Sequence, residues 1–123
     1  MDWLIVGQII IGIVFVVFGL NHLLRSSGMI SYIGSKLNVS KNIAAALNLI
    51  IALIWGLGGL GTVFGVAMAP LVLAAGVVAV TYTMHQWWNE SDPAAKQGEL
   101  TKFLVNHALV GALIMGYAAL AIS

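Results

Sequence analysis

Three histidines, His22, His85 and His107, carry most of the chemistry this chain offers, and each has polar company. Asn21 precedes His22, Tyr82 and Gln86 flank His85, and Asn106 precedes His107. An imidazole accepts or donates hydrogen bonds, moves protons near neutral pH and ligates metals. Brought together, such groups suit the head group of a quinone, with His or Tyr donating to its carbonyls. Two neutral imidazoles could also ligate haem, although no ligand spacing singles haem out. The candidate ligand-binding residues are therefore His22, His85, His107, Asn106 and Tyr82. A purely structural role stands beside this one, because His and Asn inside helices also tie helices together.

The elements that would position these residues follow from where charge is missing. No Lys, Arg, Asp or Glu occurs between Asn42 and Asn89, and none in Trp3–Leu24 or Phe103–Ser123. A charge at the centre of a bilayer costs about 3 kcal/mol on insertion scales, and a helical span needs about 20 apolar residues. The middle stretch therefore holds two spans and each flank one. The fold class is all-α, a four-transmembrane-helix bundle forming one domain, with helices expected near 3–24, 42–63, 67–88 and 100–122. Of 123 residues, 61% are hydrophobic and 7% charged, which leaves little for a soluble domain.

The connections are Leu24 to Lys41, a short turn near Phe64–Ala69, and Asn89 to Lys102. The first mixes Met29, Ile30, Tyr32, Ile33 and Leu37 with polar residues, a pattern that fits either an interfacial helix or a solvated loop. Ser40 suits a helix cap and Pro70 a first helical turn, whereas Asp92-Pro93 reads as a helix stop. Gly56, Gly58, Gly59 and Gly61 suit close helix approach. Trp3, Trp87 and Trp88 fit interfacial belts; Trp55 lies too deep for one, and is either core or a cavity wall.

All five basic residues, Arg25, Lys36, Lys41, Lys96 and Lys102, fall in the first and third connections. The positive-inside rule then places both in the cytoplasm of a multi-pass cell-membrane protein, with both termini outside. All three histidines share one depth, within about 10 Å of the cytoplasmic face at 1.5 Å per residue. There is no cysteine, so disulfides, thiolate chemistry and iron–sulfur ligation are excluded. The net charge of +1, without a basic patch, carries no nucleic-acid signal. No span contains the carboxylate that a proton-coupled antiporter needs, and no nucleophilic triad is legible.

Several segments in order resemble the DoxX family of small membrane proteins. Phe18-Gly19-Leu20-Asn21-His22-Leu23 looks like the Gly-x-x-His end of that family's first helix. Leu57-Gly58-Gly59-Leu60, with Gly65 beyond, looks like its Gly-Gly segment. Thr83-Met84-His85-Gln86-Trp87-Trp88 resembles its third-helix end, and Phe103-Leu104-Val105-Asn106, then Gly111-Ala112-Leu113, its fourth-helix start. Where relatives often carry Glu before the Gly-Gly pair, this chain has Trp55. The resemblance implies a four-helix membrane protein, some relatives of which are tied to thiosulfate:quinone oxidoreductase or to oxidoreductase assemblies answering oxidative stress. It carries over His22, His85 and Asn106 as the polar cluster.

Two functional readings follow. One is a membrane subunit of an oxidoreductase or electron-transfer assembly, contributing a quinone-head-group pocket on the cytoplasmic side. The other is a non-catalytic accessory subunit packing against a larger membrane complex. The expected partners are the lipid bilayer and other membrane subunits or further copies of the chain.

Overall fold

The structure is a computed structural model and describes residues 2–123. Every regular element is helical: α1 (Trp3–Leu24), α2 (Ser26–Leu37), α3 (Lys41–Val63), α4 (Ala69–Met84) and α5 (Pro93–Ala121), with one 3₁₀ turn at Trp87–Asn89. Four segments are long and apolar enough to cross a membrane, namely α1, α3, α4 with its following turn, and α5. The protein is an all-α four-helix bundle of the kind that spans a bilayer.

Local chemistry sets the helix ends. Asp2 caps α1 by accepting from the Leu4 and Ile5 amides, and Ser40 caps α3 by accepting from Ile43. Gly65, at φ 76°, ends α3, with the Val66 amide reaching back to the Gly61 carbonyl at 2.8 Å. That left-handed position favours glycine because it lacks a Cβ. Gln8 adds a bond from its side-chain amide to the Val63 carbonyl, 2.8 Å away. Met68 and Pro70 then open α4.

Two expected boundaries move. Helix α4 stops at Met84, four residues before the expected Trp88, because the His85 backbone leaves helical geometry. The Gln86 side chain donates to the Tyr82 carbonyl at 3.1 Å, satisfying a group that the next turn would otherwise have bonded. Asp92-Pro93 starts a helix rather than stopping one. Asp92 accepts from the Ala95 amide at 2.9 Å and Pro93 occupies the first turn, so α5 begins seven residues before the expected Leu100. At 29 residues it is about 43 Å long, longer than a hydrocarbon core of about 30 Å. Its polar first turns therefore project beyond the lipid. The connection after α1 is a helix, α2, ending on left-handed Asn38.

Helices α1 and α3 pack backbone to backbone. A Cβ on Gly12 would lie 2.7 Å from the Gly59 carbonyl oxygen, and one on Gly19 would lie 2.7 Å from the Gly56 nitrogen. In lipid, where tails are as apolar as side chains, such close contact drives helix association. Helix α4 joins this pair through Gly58 against Leu73 and Gly76 against Trp55, and α5 packs on α4. The core is Phe15, Trp55, Leu73, Ala74, Val77 and Leu113. Helices α1 and α5 scarcely touch. The bundle is therefore open along that side. At one end, Lys36 of α2 pairs with Glu90 at 3.5 Å, so the two basic connections meet.

Candidate functional site

Helix α1 brings His22 to the basic end, where α3 holds it. The amide of Asn48 donates to the His22 backbone carbonyl at 3.0 Å, and its Oδ1 lies 2.7 Å from His22 Nδ1. A carbonyl only accepts, so the amide nitrogen must face it and Oδ1 must face the ring. Nδ1 therefore carries the hydrogen, and in the neutral ring Nε2 is left as an acceptor. Asn48 is 3% exposed, and this pairing satisfies both ends of its buried amide.

On the facing side, Asn106 of α5 is oriented by α4. The Thr81 hydroxyl donates to the Val77 carbonyl at 2.6 Å. It can then only accept from Asn106, whose Nδ2 lies 3.1 Å away. Asn106 thus turns its nitrogen to Thr81, leaving Oδ1 and one N–H uncommitted.

His22 and Asn106 line one cleft of about 370 Å³, together with Phe15, Phe18, Trp55 and Val77. It lies between α1 and α5, on the open side of the bundle. A neighbouring cavity of about 150 Å³ is lined by His22, Tyr32, Trp55, Met84 and His85, with α2 above it. Trp55 stands between them, its ring 5.1 Å from that of Phe15. It is both core and cavity wall.

His85 is fixed from outside the span. Its Nδ1 donates to Glu99 Oε2 at 2.8 Å, and Lys102 reaches the other carboxylate oxygen at 3.5 Å. Glu99 sits in the polar first turns of α5, ahead of the uncharged stretch that begins at Phe103. Burial works against its charge, but the His85 hydrogen bond and the charges of Lys102, His85 and Lys36 outweigh that and hold the carboxyl below the usual carboxylate range.

Tyr82 and His107 are placed elsewhere. Nδ1 of His107 donates to the Phe103 carbonyl at 2.7 Å, so its Nε2 accepts the Tyr82 hydroxyl at 3.0 Å. The pair packs with Phe103 on the exposed face of α4 and α5, where Tyr82 is 48% exposed. Of the five sequence candidates, His22 borders both cavities, Asn106 the larger and His85 the smaller, whereas Tyr82 and His107 satisfy each other outside them. Among the described residues no three of His, Asp or Glu gather as a metal site.

Sequence reasoning did not pair Asn48 with His22, nor assign Thr81 or Glu99 to the site. Depth was the usable signal for the first. Asn48 is seven residues from Lys41 and His22 three from Arg25, so both lie close under the same surface.

Comparison with protein-family models, with curated proteins and with solved structures gives no match.

Proposed function

We propose that this chain is a DoxX-like membrane subunit of an oxidoreductase or electron-transfer assembly, holding a quinone-type head group in the cleft between α1 and α5. The observation that carries the reading is the placement of His22 and Asn106, two oriented polar groups, with Asn21 beside them, in a cleft whose other walls are apolar. A few placed polar groups in an apolar pocket are the usual form of a site for a small lipophilic ligand. The residues fit a substituted ring in size and chemistry: Phe15, Phe18 and Trp55 offer apolar walls, and His22 and Asn106 reach its oxygens. The chain supplies binding and orientation, and its partner the electron carrier. We place the basic connections, and with them the cleft, on the cytoplasmic side, because all five Lys and Arg lie there.

A non-catalytic accessory role is the second reading. It is favoured by α5, whose Leu104, Val105 and Met115 are exposed and would suit a larger membrane partner.

Purification from native membranes in mild detergent, followed by quinone extraction, tests the first reading. Stoichiometric quinone or hydroquinone in the native protein, absent from a His22→Phe/Asn106→Leu variant, supports it. Equal quinone in both preparations contradicts the site, and a quinone-free protein co-purifying with a large complex favours the accessory role.

A further inference from the structure

The hydrogen-bond polarity of the cleft says more about its ligand than the lining residues do. We infer that the cleft selects a ring bearing hydroxyl groups, a hydroquinone or related phenol, over the corresponding quinone; the inference rests on the functional reading above. Asn48 forces the His22 hydrogen onto Nδ1, so the neutral ring offers the cleft a lone pair and no donor. Thr81 takes the Asn106 nitrogen, which leaves that residue's Oδ1 as a second acceptor. Among the described residues neither His22 Nε2 nor Asn106 Oδ1 has a partner.

A quinone carbonyl is itself only an acceptor. Docked against His22 it would set two lone pairs face to face and bury Nε2 unpaired. A hydroxyl donates to Nε2 while still accepting from the free N–H of Asn106 or from Asn21, which also lines the cleft. The asymmetry matters because an unsatisfied buried acceptor carries its full desolvation penalty. A site built for a hydroxyl rejects the analogue lacking it more strongly than apolar shape alone could.

The discriminating experiment uses the full chain in lipid nanodiscs, without oxygen, titrated calorimetrically with duroquinol and duroquinone. These probes have the same tetramethyl ring and differ in its two oxygens. Duroquinol is expected to bind about tenfold tighter or more. The ratio should fall to near one in His22→Phe, and if that variant does not fold, Asn106→Leu should reduce it instead. A ¹⁵N signal from His22 Nε2 that moves on adding duroquinol, and not duroquinone, would place the bond. Equal affinities, or tighter duroquinone, overturn the selectivity and leave the proposed pocket intact. Binding of neither probe overturns both.

Discussion

Asn48 holds His22 at two points 26 residues away in sequence, accepting from the ring at 2.7 Å and donating to the backbone at 3.0 Å. The clamp fixes both where the imidazole sits and which of its nitrogens carries hydrogen. Asn48→Leu is expected to cost about 1 kcal/mol, since side-chain hydrogen bonds within membrane bundles average about half that each. It should also let the hydrogen redistribute between the ring nitrogens. Denaturant titration in detergent reads the first effect, and ¹⁵N spectra of labelled histidine the second.

The contact of α1 with α3 leaves no room for a side chain. Gly19→Val is expected to destabilise the bundle by about 1–3 kcal/mol, the range for forcing extra atoms into a packed contact. Here the atoms met are backbone, the Gly56 nitrogen and the Ala52 oxygen. Gly111→Ala, with nothing within 4 Å of the added carbon, should be neutral or slightly stabilising. Melting temperatures of the two variants check the contrast.

The carboxylate of Glu99, in the first turns of α5, ties that helix to His85 at the end of α4. Its native value is lowered, so the stability it contributes is fully present above the unfolded carboxylate range. That stability disappears as pH falls through the native value. The wild-type protein should therefore lose stability on acidification below about pH 4.5, and Glu99→Gln should show a flatter profile there. Thermal unfolding across a pH series measures the difference.

The Lys36–Glu90 contact brings the first and third connections to one end of the bundle. A Lys36→Cys/Glu90→Cys variant should be bridged within one chain by a short bis-maleimide cross-linker, since the tips of two long side chains meet while their Cβ atoms stand too far apart for a direct disulfide. On intact cells a membrane-impermeant maleimide should label Ala67→Cys, in the turn between α3 and α4, and spare Ser27→Cys and Ser91→Cys. Labelling of the latter pair and not the former would reverse the proposed orientation.

The four spans were legible because the solvent writes them into composition: charge is excluded from α1, α4, all of α3 after its first residue Lys41, and most of α5. Boundaries were less legible where polar side chains replace backbone bonds. Gln86 ends α4 early, and Asp92 starts α5 inside a segment whose composition reads as loop. The site was half legible. Depth gathered the three histidines near one surface, but depth carries no information about rotation around each helix. His107 faces out to meet Tyr82, while His22 and His85 face the cavities. The hydrogen-bond partners that decide tautomer and orientation, Asn48, Thr81 and Glu99, sit on neighbouring helices, so no spacing within one segment announces them.

Under the proposed function, the opening where the first and last helices scarcely touch also sets how a guest would arrive. On that reading a molecule dissolved among the acyl chains would reach the imidazole by sliding sideways in the plane of the bilayer. The competitor at that door is the tail of an ordinary lipid. Occupancy should then track the guest's mole fraction in the membrane, so diluting the same amount of guest with inert lipid would empty the protein while the total guest concentration in the sample stays unchanged.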